Sequence, residues 1–169
     1  MKTIISIPSI MTVFLFTMIF TSLSYAECPN LLPKDYLFVT LEGREADKTP
    51  TFVPKGGGVA FSFNLKNENC IAKQVKINEF YAAHYAQDYN TFTIRFDVYD
   101  SNNKLVGKKS FNVNKQITQY QEIRDTSKQQ KYSGTIDLSN NTKISKIDVF
   151  VTTGNWAAVI NDLSISFTR

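Results

Sequence analysis

One histidine, two cysteines and one tryptophan are all that this chain of 169 residues contains of those three types. One histidine and two cysteines expected to be oxidised do not make a closed zinc site, so no transition-metal centre is expected. There is no Gly-x-Ser-x-Gly elbow and no phosphate loop. Gly56-Gly57-Gly58 lacks the following Lys-Ser/Thr and runs straight into an alternating segment, so it reads as a turn. Basic runs are missing as well. Nineteen Lys and Arg against fifteen Asp and Glu give a net charge of +4, but the charges are interspersed, and no nucleic-acid footprint forms. Helix signals are scarce, Glu79 to Gln87 being the one candidate, and no internal repeat or low-complexity tract stands out.

Charge is also absent from Thr3 to Ala26. Lys2 precedes that span, Ile10 to Phe20 is densely apolar, and Ser24-Tyr25-Ala26 offers small residues for cleavage. This is the three-part pattern of a secretory signal, residues 1–26, leaving a single domain over 27–169. The predicted location is secreted or periplasmic. No second apolar run is long enough to span a bilayer, so no stable membrane insertion is expected once the signal is removed. In that setting an even cysteine count points to one disulfide, Cys28 to Cys70, pinning the N-terminus. Closing a loop of that length is worth about 4 kcal/mol in the chain-entropy model.

The dominant hydrophobic period is two. In Thr91 to Tyr99, Phe92, Ile94, Phe96 and Val98 point one way, and Thr93, Arg95, Asp97 and Tyr99 the other. A polar turn at 100–104 and a returning strand from Leu105 to Val113 make a hairpin. Further strands are predicted at Tyr36–Leu41, Val59–Leu65, Val75–Tyr81, Ile117–Ile123, Tyr132–Leu138, Ile144–Val151 and Val159–Phe167. The step from Ile144 to Ile147 breaks the alternation, and a bulge there restores phase. Strand after strand without crossover helices predicts an all-β fold, an antiparallel two-sheet jelly-roll sandwich of eight to ten strands.

Several residue groups are candidates for function. Sugar rings have apolar faces and hydroxyl rims, so aromatic platforms beside polar groups suit them. Tyr85, Tyr99 and Trp156, with Arg95 and Asn155, are the candidate ligand residues. Tyr81, Tyr85 and Tyr89 are expected to share one loop with His84, and Trp156 has a second reading as a cap on the core. Calcium needs only oxygen ligands, and Asp162 with an N-terminal partner such as Glu42 or Asp35 could form a structural site. The competing reading of Asp162 is an ordinary turn residue. His84 with Asp88 as orienter offers a hydrolase centre. Asp97 and Asp148 both occupy outward strand positions, as the two carboxylates of a glycosidase would, but which strands pair is not legible in the sequence.

The closing segment Ala158-Val159-Ile160-Asn161-Asp162-Leu163-Ser164-Ile165, preceded by Ile144-Ser145-Lys146-Ile147-Asp148-Val149-Phe150-Val151, resembles the last two strands of carbohydrate-binding modules and related galactose-binding-like jelly rolls. The resemblance implies two facing antiparallel sheets, glycan binding and a structural calcium near the first and last strands. The leading expectation is a secreted, non-catalytic module for a glycan or similar polar ligand. A protein–protein adaptor or inhibitor on the same scaffold comes second, and a hydrolase centred on His84 third.

Overall fold

Alternation of apolar and polar side chains dictates strands, and the structure, a computed structural model, contains ten of them among the residues it describes: 28–32, 37–41, 51–53, 57–85, 92–152 and 157–169. They are β1 (Leu37–Leu41), β2 (Thr51–Val53), β3 (Gly58–Asn64), β4 (Ile71–Tyr85), β5 (Phe92–Asp100), β6 (Leu105–Val113), β7 (Gln116–Ile117), β8 (Gln130–Thr152), β9 (Ala157–Asn161) and β10 (Ile165–Thr168). Two single-turn 3-10 helices lie at Tyr120–Glu122 and Thr126–Lys128. The all-β class follows from the sequence pattern. The 1–26 segment, Asp35, Glu42, Asp88, Tyr89, Asn155 and Trp156 lie outside the described residues.

The ladder runs β2-β1-β9-β4-β8-β5-β6, with β7 and β10 also on β4 and β3 also on β8. Pairing is antiparallel except for the short β1–β2 and β4–β7 contacts. The pairings fall into two groups joined by one strand: β8, 23 residues long, belongs to both arms. Up to Lys143 it pairs with β4, and from Ile144 onward with β5 and β3. The corner between them holds Asn140 at φ 61, a left-handed conformation that Asn tolerates better than most residues.

Both arms turn their apolar rows to one core. Val75, Ile77, Phe80 and Ala82 of β4 meet Ile94, Phe96 and Val98 of β5 and Ile147, Val149 and Val151 of β8, all buried. Phe80 packs edge-on to Phe96 (6.1 Å) and Phe111 (5.4 Å) and stacks on Tyr132 (5.5 Å). Close approach of β6 to the first half of β8 depends on two glycines. A Cβ on Gly107 would stand 2.5 Å from Ile136 Cγ2, and one on Gly134 would stand 3.0 Å from Phe111 Cζ.

Three local readings change. Glu79–Tyr85 is not a helical turn or loop but the end of β4. Its alternation is masked because both faces are covered: Ala82 faces the main core, and Ala83 faces a second cluster with Ile117, Ile123 and Val159. The segment over that second cluster is held by Gln129, whose Nε2 donates to the Ile123 carbonyl (2.8 Å) and whose Oε1 accepts from Asn161 Nδ2 (3.0 Å). The single closing strand predicted from Val159 to Phe167 is two strands, broken at Asp162, which sits at φ 57. The bulge predicted between Ile144 and Ile147 is at Ser145: Tyr99 faces Lys146 and Asp100 faces Ile144, leaving Ser145 extra. Its hydroxyl donates to the Asp100 carbonyl.

Cys28 and Cys70 are disulfide-bonded, as expected, across a separation of 42 residues. Just beyond Cys28, Leu31 exchanges both backbone hydrogen bonds with Ile165 of β10 (2.9 Å each).

Candidate functional site on the outer face of strands 3, 8, 5 and 6

Strand period two puts Thr93, Arg95, Asp97 and Tyr99 of β5 on the side away from the core. The antiparallel register with β8 sets Thr93 opposite Thr152, Arg95 opposite Phe150, Asp97 opposite Asp148 and Tyr99 opposite Lys146. On the far side of β8, β3 brings Ser62 to Asp148 and Asn64 to Lys146. On the far side of β5, β6 brings Ser110 to Arg95 and Lys108 to Asp97.

The centre of this face is a doubled motif. Arg95-Phe96-Asp97-Val98-Tyr99 and Lys146-Ile147-Asp148-Val149-Phe150 share the order cation, apolar, Asp, Val, aromatic. Antiparallel pairing relates them by a local two-fold between the two aspartates, so each cation stands beside the other strand's ring. Arg95 lies over Phe150 with its Cζ 4.4 Å from the ring centroid, and Lys146 Nζ lies 4.4 Å from that of Tyr99. The apolar residues of both motifs point into the core. The sequence therefore does contain a short internal repeat. Five residues with only Asp and Val identical are too short and too divergent to stand out along the chain. Aligning the two strands on their aspartates reveals it.

Each aspartate is paired within its own strand. Arg95 donates from Nε to Asp97 Oδ1 (2.9 Å) and from Nη2 to Oδ2 (2.7 Å), a two-pronged geometry. Lys146 Nζ stands 2.8 Å from Asp148 Oδ2, and the Ser62 hydroxyl donates to Asp148 Oδ1 (2.6 Å). Asp97 and Asp148 are only 4% and 5% exposed, although they lie on the outer side of the sheet. Two carboxylates directly opposite repel, and the flanking cations and the serine hydroxyl offset that repulsion. The hydrogen bond to Asp97 raises the pKa of the Arg95 guanidinium, a group already charged at any ordinary pH.

Arg95 and Tyr99, both candidates from sequence, are thus brought together, along with Phe150, Lys146, Lys108, Asp97 and Asp148. Tyr85 is elsewhere, packed on the second cluster beside Ile117. Asp162 is exposed at the corner between β9 and β10, and among the described residues no three His, Cys, Asp or Glu converge to hold a metal ion. Two surface depressions of about 590 and 580 Å³ lie near Arg169, and their described linings include none of the predicted ligand residues.

His84 is 8% exposed on β4, in register with Ala158 of β9 and Gln116 of β7. Among the described residues no carboxylate hydrogen-bonds to its ring. Burial holds its pKa below the ordinary 6.5, so it is neutral in the fold. The unfolded chain binds that proton more readily, and the folded state loses stability as pH falls through that value. Unfolding in urea at about pH 7.5 and about pH 5.5 is expected to show lower stability at the acid end, with part of the difference abolished in His84→Gln. An unchanged slope in the variant would remove His84 as its source.

No protein-family model and no curated protein matches the chain. Among solved structures, it is similar to the arabinose-bound MgGH51 α-L-arabinofuranosidase, at 6% identity and a TM-score of 0.41 over 57% of this chain. The match spans 15% of that enzyme's chain, and a likeness of this size carries no argument about fold or activity.

Proposed function

We propose that the chain is a non-catalytic binding domain, exported from the cytoplasm, whose outer β3-β8-β5-β6 face holds a polar ligand of glycan type. The observation that carries this reading is the doubled motif: two cations, two rings and two aspartates fixed on one face, outside the core. Binding is favoured over hydrolysis because each carboxylate is committed to a cation on its own strand, whereas glycoside hydrolysis needs one carboxyl free to give a proton. Export is supported by the signal-like leader and by the disulfide, which persists in oxidising compartments. Among the described residues no helix is long and apolar enough to cross a membrane.

A second reading, a protein-binding adaptor, draws on the two exposed aliphatic residues of the same face. Val59 pairs with Phe150 and Leu105 with Tyr99. Arg and aromatic residues framed by apolar contact are also what protein interfaces favour.

The test is a glycan array with the oxidised chain lacking residues 1–26, in the presence and absence of calcium, followed by calorimetric titration of any ligand captured. Tyr99→Ala is expected to weaken binding about tenfold while leaving the melting temperature within a few degrees of the parent. Silence on the array, together with a purified protein partner whose binding Tyr99→Ala abolishes, would move the assignment to the second reading.

A further inference from the structure

We infer that the ligand of this face is an anionic oligosaccharide, carrying carboxylate or sulfate groups, held across Arg95, Lys108 and Lys146. The inference rests on the binding reading above and adds the charge and length of the ligand.

The first argument is what the face shows to solvent. The aspartate side chains are 6% and 7% exposed, whereas those of Arg95 and Lys146 are 38% and 31% exposed. Negative charge lies low and positive charge lies on top. Lys108 is fully outward in register with Asp97, and among the described residues it has no ion-pair partner. Three cations therefore surround two sunken anions, and a ligand laid on the face meets positive charge first.

The second is the state of the rings. A neutral sugar stacks its C–H face on an open aromatic face. Here Arg95 covers Phe150 and Lys146 covers Tyr99, both at 4.4 Å, so those stacking surfaces are occupied by cations. The rings hold the cations flat instead. Arg95 is further fixed by Asp97, which takes Nε and Nη2 and leaves Nη1 without an acceptor among the described residues. A guanidinium locked this way is a ready donor to a carboxylate or sulfate, at little ordering cost. Ser110 and the Asn64 amide, at the edges of the face, supply groups suited to sugar hydroxyls.

The third is spacing. The cations lie on three adjacent strands, Lys146 on β8, Arg95 on β5 and Lys108 on β6, so the outer two stand about 10 Å apart across the sheet by strand spacing. One sugar ring does not reach both, so affinity should grow with chain length.

The experiment is calorimetric titration of the oxidised chain lacking residues 1–26 with oligogalacturonates and sulfated heparin fragments of graded length. Neutral xylo-oligosaccharides and phosphatidylserine vesicles serve as comparison probes. Anionic oligosaccharides should bind, more tightly with length, and lose at least about tenfold in affinity between about 50 mM and about 300 mM salt. Lys108→Gln should weaken them several-fold. Lys131→Gln, which removes the same charge beside Glu79 on the other arm, should not. Neutral sugars binding equally and without salt dependence would overturn the charge assignment and leave the glycan-binding face standing. No binding of any sugar would overturn both readings. Tight binding to vesicles alone, lost in Lys108→Gln, would overturn the sugar assignment in favour of a lipid surface.

Discussion

Replacing Phe80 with alanine is expected to cost about 3–5 kcal/mol of folding stability, a large share of the total for a domain of this size. Phe80 is fully buried where the two arms of the sheet meet, and it touches rings from three other strands: Phe96, Phe111 and Tyr132. The cavity cannot close easily. On one side β6 is already held against β8 at Gly107, where no further approach is available. Urea unfolding with a circular dichroism readout measures the loss, and Phe80→Leu, which fills most of the space, should cost less than half as much. A loss below about 1 kcal/mol for the alanine variant would mean that the two arms do not rely on this aromatic contact.

Removing the disulfide is expected to cost about 4 kcal/mol, close to the chain-entropy value for a closed loop of 42 residues. Cys70 is buried where β4 begins, and Cys28 leads directly into the Leu31–Ile165 bridge on β10. Without the link, the described residues 28–32 are held by that bridge and by the packing of Leu31 on the core. The double variant Cys28→Ala/Cys70→Ala avoids leaving one free thiol. Its unfolding curve should coincide with that of the parent chain under reductant. If both match the oxidised parent instead, the link is thermodynamically idle and its entropic account is wrong.

The parts of the fold that were legible are those with one buried and one wet face. The β5–β6 hairpin could be read from Phe92, Ile94, Phe96 and Val98, and the Ser145 bulge from the misfit between Ile144 and Ile147, because a period of two makes any slip visible. Glu79–Tyr85 was illegible for the opposite reason. Ala82 and Ala83 are covered on opposite faces, so nothing alternates and the small residues imitate a helix. The corner of β8 reads as a loop because Ser139, Asn140 and Asn141 are polar and exposed, although the chain stays paired on both sides of it. The site divides in the same way. Arg95 and Tyr99 were visible as outward residues of a clear strand. Their partners were not, because Lys146, Asp148 and Phe150 become neighbours only through the pairing of β5 with β8, some fifty residues apart in the chain.

The shared strand β8 also bears on the order in which the molecule can assemble. Among the described residues β3 has no other hydrogen-bonded strand, and the antiparallel partners of β4 all lie at or beyond Gln130. As the chain emerges N-terminus first, the β5–β6 hairpin can close early, but β3 and most of β4 must wait for residues from 130 onward. Contacts of such long sequence separation form slowly and late. A chain wired this way completes β3 and β4 only once its distal strand arrives, so truncation before Gln130 would leave both strands without their antiparallel partners.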